Sequence, residues 1–122
     1  ARSLPGLWRA EKIQKKAAKV GFDWPDVSGA LEKLREEAGE LEEAVREDTN
    51  VAEELGDLLF AAVNVARFVK VDPEDALSVA CDKFARRFRQ VEASAAAQGK
   101  TLDEMTLAEM DRLWDEAKKQ EA

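Results

Sequence analysis

Two acidic pairs, Glu37-x-x-Glu40 and Glu54-x-x-Asp57, carry the chemistry that this chain most plainly advertises; residues 41–53 separate them. A spacing of three puts both carboxylates of a pair on one helix face, about a turn apart. Two such faces turned toward each other would gather four carboxylates into one small volume. Anions crowded together raise one another's pKa, so the arrangement makes sense chiefly around a cation. Oxygen ligands without imidazole or thiolate suit Mg²⁺, with Mn²⁺ as a substitute, and disfavour zinc. A di-iron bundle would need Glu-x-x-His on two helices, and the chain has no His. The same spacing also arises on any acidic amphipathic helix whose charged face is simply solvated.

The elements that must position these residues read as helices throughout. The 122 residues contain only three Pro and six Gly, and no run alternates at the strand period. The pattern predicts an all-α bundle of about five helices in a single domain spanning 1–122. Helices are expected over Leu7–Val20, Gly29–Glu47 with Ser28 as cap, and from a Thr49 or Asn50 cap to about Val69. A fourth opens at Asp72-Pro73 and runs to Ala97. A polar stretch follows Gly99, and a fifth helix covers Leu107–Lys119, capped by Thr106 with Glu109. Projection places Leu31, Leu34, Ala38, Leu41 and Val45 on the buried stripe of the second helix. Val51, Leu55, Leu58, Ala62 and Val69 fill that role on the third, and Leu77, Ala80, Phe84, Phe88 and Val91 on the fourth. Lys33, Glu37 and Glu40 flank the second stripe. Glu54, Asp57 and Asn64 flank the third, and Lys83 and Arg87 the fourth. Gly39 and Gly56, beside acidic residues, would permit close approach of a helix or ligand. Phe60 lies opposite the main stripe of its helix, so that helix is apolar on two sides and suggests a dimer interface.

Charge narrows the functional classes. Charged residues make up 37% and the net charge is -7, which argues against a nucleic-acid polymer as partner. Between Glu32 and Asp57 lie 11 acidic and 3 basic residues, so the acid excess belongs to that one segment. Cys81 is the lone cysteine, expected to be a small buried helix residue in a reducing cytosol. No stretch approaches a membrane span, so a cytoplasmic protein is expected. The chain begins at Ala1, which is compatible with a domain cut from something longer.

Glu36-Glu37-x-x-Glu40 followed by Glu53-Glu54-Leu-Gly-Asp57-Leu-Leu-Phe60 resembles the signature of all-α nucleoside triphosphate pyrophosphohydrolases. That superfamily includes MazG, dimeric dUTPases, dCTP pyrophosphatases and phosphoribosyl-ATP pyrophosphohydrolase. Lys12-Ile-Gln14-Lys15, Gly21-Phe-Asp-Trp24, Asn64-Val-Ala-Arg67, Lys83-Phe-Ala-Arg86-Arg87-Phe88 and Trp114 look like the MazG catalytic domain in particular. The resemblance covers nearly the whole chain. It implies that Glu37, Glu40, Glu54 and Asp57 bind Mg²⁺, and that Lys33, Lys83 and Arg87 contact a triphosphate. Asn64 would lie in or near the pocket, and Trp114 would stack on or cover the base. Glu37, then Glu40, is the candidate general base. The activity implied is hydrolysis of nucleoside triphosphates to the monophosphate and pyrophosphate, with broad base specificity, by a homodimer or larger homo-oligomer. Cys81 departs from the pattern, where Asn is common, and puts a polar contact near the nucleotide in doubt. The rivals are a narrower relative and a non-catalytic helical dimerisation domain.

Overall fold

Helix-forming residues broken by a few glycines and prolines give the element order directly. The computed structural model describes residues 5–121, and among them lie five α-helices: α1 (Gly6–Lys19), α2 (Val27–Glu47), α3 (Val51–Phe68), α4 (Pro73–Ala97) and α5 (Leu107–Glu121). The all-α expectation holds. The chain divides into two compact units, residues 1–76 and 77–122, with the division inside α4.

In the first unit α2 and α3 form an antiparallel hairpin, and α1 packs on α3. The hairpin turn is only three residues long, and Asp48 and Asn50 both take positive φ (53° and 54°). Asp and Asn tolerate that conformation better than most residues, which is why they serve here. Asn50 therefore stands at the N-cap position without a side-chain cap bond. The start of α2 also differs from expectation: Asp26, not Ser28, is the cap, its carboxylate accepting the Ser28 N–H at 2.9 Å. Asp72 caps α4 through the Glu74 and Asp75 amides at 2.9 and 3.1 Å. The Trp8 indole N–H donates to the same carboxylate at 2.9 Å, fastening α1 to the start of α4.

Gly29 shows what holds the loop before α2. A Cβ there would lie 2.4 Å from the Trp24 ring, so the indole packs flat against a bare backbone. Gly39 and Gly56 are different, since an added Cβ would meet no atom within 4 Å. Among the described residues, no other helix uses those two glycines for close approach.

The buried faces of α2 and α3 are rotated from the projected stripes. On α2 the buried residues are Ala30, Glu37 and Ala44, while Val45 is 60% exposed and Ala38 is exposed. On α3 they are Ala61, Val63 and Asn64, with Glu54 and Leu58 half-buried; Val51, Leu55, Ala62 and Val69 are exposed. On α2 the shift is roughly 80° toward Glu37, and on α3 the buried residues no longer form one arc with the projected stripe. Projection assumes that the most apolar arc faces the core. Here part of that arc lies on the surface of the chain, and the acidic residues take the inner positions.

In the second unit Val91, Ala95, Met105 and Leu113 form the core, with Leu102, Met110 and Trp114 packed against it. The polar stretch after Gly99 contains a short 3-10 helix, Leu102–Glu104, closed by a Thr101/Glu104 capping box. Thr106 and Glu109 form the second box, as the sequence predicts, through reciprocal bonds of 3.0 and 3.2 Å. On α4 only Val91 of the expected stripe is buried: Leu77, Ala80, Phe84 and Phe88 are exposed, and so is Cys81. The core position assigned to Phe84, Phe88 and Cys81 is thus wrong. Phe84 and Phe88 instead stack on one another at the surface, with Phe84 against Trp114.

Candidate metal centre

Helix α2 supplies Glu37 and Glu40, and α3 supplies Glu54 and Asp57. Because the two helices run antiparallel from a short turn, residues placed symmetrically about it meet. Glu37, Glu54 and Asp57 each offer a carboxylate oxygen, and these oxygens lie within 4.8 Å of one another. Glu37 is 6% exposed, and its Oε2 and that of Glu54 are buried without a hydrogen-bond partner. Glu40 is exposed and lies outside this group of three, although its charge acts on Glu54. Burial pushes the Glu54 carboxyl above its ordinary value, and the charge and hydrogen bonding of Glu40, then the charges of Asp57 and Glu37, push the same way. Leaving a buried acceptor unsatisfied is destabilising by about 1–3 kcal/mol, and more for a charged one. Oxygen-only donors, close spacing and orphaned lone pairs all fit a hard divalent cation. The cluster can hold a metal ion.

Lys33 borders the cluster on α2. Its Nζ lies 3.1 Å from Glu37 Oε1 and 3.4 Å from Glu36 Oε1. The hydrogen bond to Glu37, then that to Glu36, holds the lysine above its ordinary pKa, so it stays cationic.

Asn64 lies further along α3, facing a cleft of about 430 Å³ bounded by α1, the loop from Gly21 to Trp24, and α3. Gln14, Phe60 and Arg67 share that cleft. Gln14 is 5% exposed, its Nε2 donating to the Phe60 carbonyl at 2.9 Å. Arg67 donates to both Asp23 oxygens at 2.7 and 2.8 Å, and to Asn64 Oδ1 at 2.8 Å. Sequence reasoning placed Gln14, Asp23 and Arg67 in family-like stretches but gave them no role. The usable signal was a Gln amid the apolar residues of α1, a polar group that burial would force to find partners.

A family model for the MazG nucleotide pyrophosphohydrolase domain matches residues 26–92, the segment that carries all four carboxylates. The chain belongs to the MazG nucleotide pyrophosphohydrolase domain family. It is 44% identical over 115 residues to the nucleoside triphosphate pyrophosphohydrolase/pyrophosphatase MazG of Thermotoga maritima, covering 94% of this chain and 45% of that protein. It is 45% identical over 124 residues to the nucleoside triphosphate pyrophosphohydrolase of Escherichia coli K12, covering 98% and 47%. An uncharacterized protein of Bacillus subtilis, YabN, is 53% identical over 72 residues, covering 59% of this chain and 15% of that protein. The chain spans about half the length of the two pyrophosphohydrolases it matches.

The MazG match includes Lys83 and Arg87 but stops before Trp114, and all three lie in the second unit. Arg87 and Trp114 do come together: the guanidinium sits 5.7 Å from the indole centroid. Phe84 lies 5.0 Å from Trp114 and stacks on Phe88 at 6.0 Å. Arg87 Nε also donates to Glu121 at 2.7 Å. Lys83 is exposed on α4, with no ion pair among the described residues.

Proposed function

We propose that the carboxylate centre hydrolyses nucleoside triphosphates between the α and β phosphates, releasing a nucleoside monophosphate and pyrophosphate. The observation that carries this reading is the convergence of buried, partnerless Glu37 and Glu54 oxygens beside Asp57. The two MazG relatives are nucleoside triphosphate pyrophosphohydrolases by name, which supplies the reaction class.

Glu37, Glu40, Glu54 and Asp57 would hold Mg²⁺, or Mn²⁺ in its place. Bound there, the ion supplies Lewis-acid polarisation of phosphate oxygens and eases deprotonation of water. The remaining work falls to the chain's own side chains. Glu37, or Glu40 next, takes the proton from the water that attacks α-phosphorus. The bond from α-phosphorus to the bridging oxygen breaks, and pyrophosphate departs with increased charge. Lys33, already ion-paired with Glu37, keeps a fixed positive charge at the edge of the centre. Lys83 and Arg87 offset the leaving-group charge, Arg87 by exchanging its Glu121 partner for phosphate. Asn64 contacts the nucleoside, and Trp114 covers the base.

The acting species is a homodimer or larger homo-oligomer in the cytoplasm, with broad base specificity. Exposed Val51, Leu55 and Leu59 on α3 support a homotypic interface, because a single chain leaves them in water. No described helix is long and apolar enough to cross a membrane.

The test is pyrophosphate release from a nucleotide panel. Turnover of several bases at similar rates supports the broad reading, and a single strongly preferred substrate supports a narrower enzyme. If Mg²⁺ and Mn²⁺ neither bind nor raise the melting temperature, the catalytic reading fails. Lys83→Ala is expected to raise KM more than it lowers kcat, and unchanged kinetics would remove Lys83 from the site.

A further inference from the structure

The two α4 cations proposed to offset the leaving-group charge differ in what already holds them. Lys83 has no ion pair among the described residues, whereas Arg87 is taken by an anion of the chain itself. Its Nε donates to Glu121 Oε2 at 2.7 Å, and Glu121 Oε1 lies 3.5 Å from Arg86 Nε. One carboxylate thus answers two neighbouring guanidinium groups, with an oxygen for each. Guanidinium donors accept carboxylate and phosphate oxygens by the same charge-assisted bond.

The Arg87 contact is the better shielded of the two. The Arg87 side chain is 17% exposed and that of Glu121 28%, against 58% for Arg86. Arg87 also has the Trp114 ring at 5.7 Å as a second partner. Glu121 stands at the end of α5, where the helix dipole favours cations, and Lys118 and Lys119 of the same turn follow that preference. What its own helix does not favour, α4 supplies: the hydrogen bond from Arg87, above all, holds the Glu121 carboxyl below its ordinary pKa. At neutral pH the carboxylate is ionised and committed to Arg87. A phosphate reaching that guanidinium meets a charge already offset and an Nε already occupied.

We infer that Glu121 is a built-in competitor for the phosphate chain, its carboxylate occupying Arg87 in the free protein so that an incoming phosphate binds by displacing it. The inference rests on the pyrophosphohydrolase reading for the role of Arg87. The displacement breaks and forms hydrogen bonds only, and Glu121 recloses on Arg87 when the phosphate group leaves. The contact therefore loosens the hold on substrate and on released pyrophosphate alike.

The experiment measures binding of inorganic tripolyphosphate in Mg²⁺ buffer by isothermal titration calorimetry. The whole chain is used as wild type, Glu121→Gln, Arg87→Gln and the double variant, with circular dichroism to verify folding. Glu121→Gln keeps the length of the side chain and removes its charge. It is expected to bind about two- to fivefold tighter than wild type, the range set by a partly exposed ion pair. In the Arg87→Gln background the same change is expected to gain nothing. With a nucleoside triphosphate as substrate, KM in Glu121→Gln is expected to fall by the same factor while kcat changes little, a split that a merely structural contact would not produce. Unchanged or weaker binding in Glu121→Gln would overturn the inference, since Glu121 would then be inert or would be holding Arg87 in place for the ligand. A gain of equal size in the Arg87→Gln background would overturn it too, as the effect of one negative charge fewer. Tighter tripolyphosphate binding by Glu121→Gln in a protein without turnover would support the competition and remove the catalytic reading.

Discussion

Two ionic clusters in the same three-helix unit resolve their charge in opposite ways. At Asp23 and Arg67, opposite charges meet in a fork of two short bonds, and the hydrogen bond from Arg67 holds the Asp23 carboxyl below its ordinary pKa. At Glu37, Glu54 and Asp57, like charges meet, two oxygens go without partners, and burial raises the Glu54 pKa. The first cluster is complete within the chain. The second lacks a positive charge at its centre, since Lys33 reaches only its edge. What separates the two is the sign of the charges that meet, and the carboxylate centre is the one that could hold a metal ion.

The comparison can be broken most sharply at the carboxylates. Glu40→Gln and Asp57→Asn are expected to abolish pyrophosphate release, by a factor of about a thousand or more, while helicity persists and the metal-free melting temperature stays level or rises. Removing one of several mutually repelling anions relieves the folded state. A loss of helicity in either variant would mark the cluster as structural and sink the contrast. Next in size is the response to metal. Mg²⁺ or Mn²⁺ at a hundred times its dissociation constant is expected to stabilise the wild type by about 2.7 kcal/mol. Differential scanning calorimetry should show this as a rise of several degrees that Glu37→Gln abolishes.

The complete cluster should respond in the opposite sense. Arg67→Ala removes the partner of Asp23 and frees the Asn64 oxygen, and is expected to destabilise the protein by about 1 kcal/mol in urea unfolding. Stability unaffected by that change would mean that the fork is ornamental. The smallest effect is one of pH. Asp23 has a folded pKa below the unfolded value of 3.8, so between the two the unfolded chain binds more protons. The stability it contributes is full above about pH 3.8 and is lost as pH falls through the lower folded value. Asp23→Asn should flatten this part of the stability profile, and an unchanged profile would deny Asp23 the shift.

Helices, their approximate ends and the acidic pairs were readable from the chain because they depend on local rules. Spacing of three, the Pro73 start and the Thr106/Glu109 box each act within a turn or two, and each is where the residues said. Register was harder. Choosing the most apolar arc as the inner one put Ala38, Val45, Val51, Leu55, Phe84 and Phe88 in a core that the single chain does not give them. Burial of Glu37 could not be derived from hydropathy at all, because hydropathy reads every Glu as outward. Gln14 and Arg67 escaped notice for a related reason. Their value comes from bonds to Phe60, Asp23 and Asn64, partners 44 and 46 residues away or set by one rotamer. Asp26 displaced Ser28 as cap because its carboxylate accepts from the Ser28 N–H itself, so the helix already begins at Val27.

The missing side chain at Gly29 has a mechanical result. With the Trp24 ring resting 2.4 Å from where a methyl would be, Gly29→Ala must push the indole outward or tilt the first turn of α2. The same indole lines the cleft, and the same helix carries Glu37 eight residues on. Position 29 therefore works like a spacer set to zero: one ring rests against it, and any added thickness is passed to the cleft wall or to the acid-bearing helix.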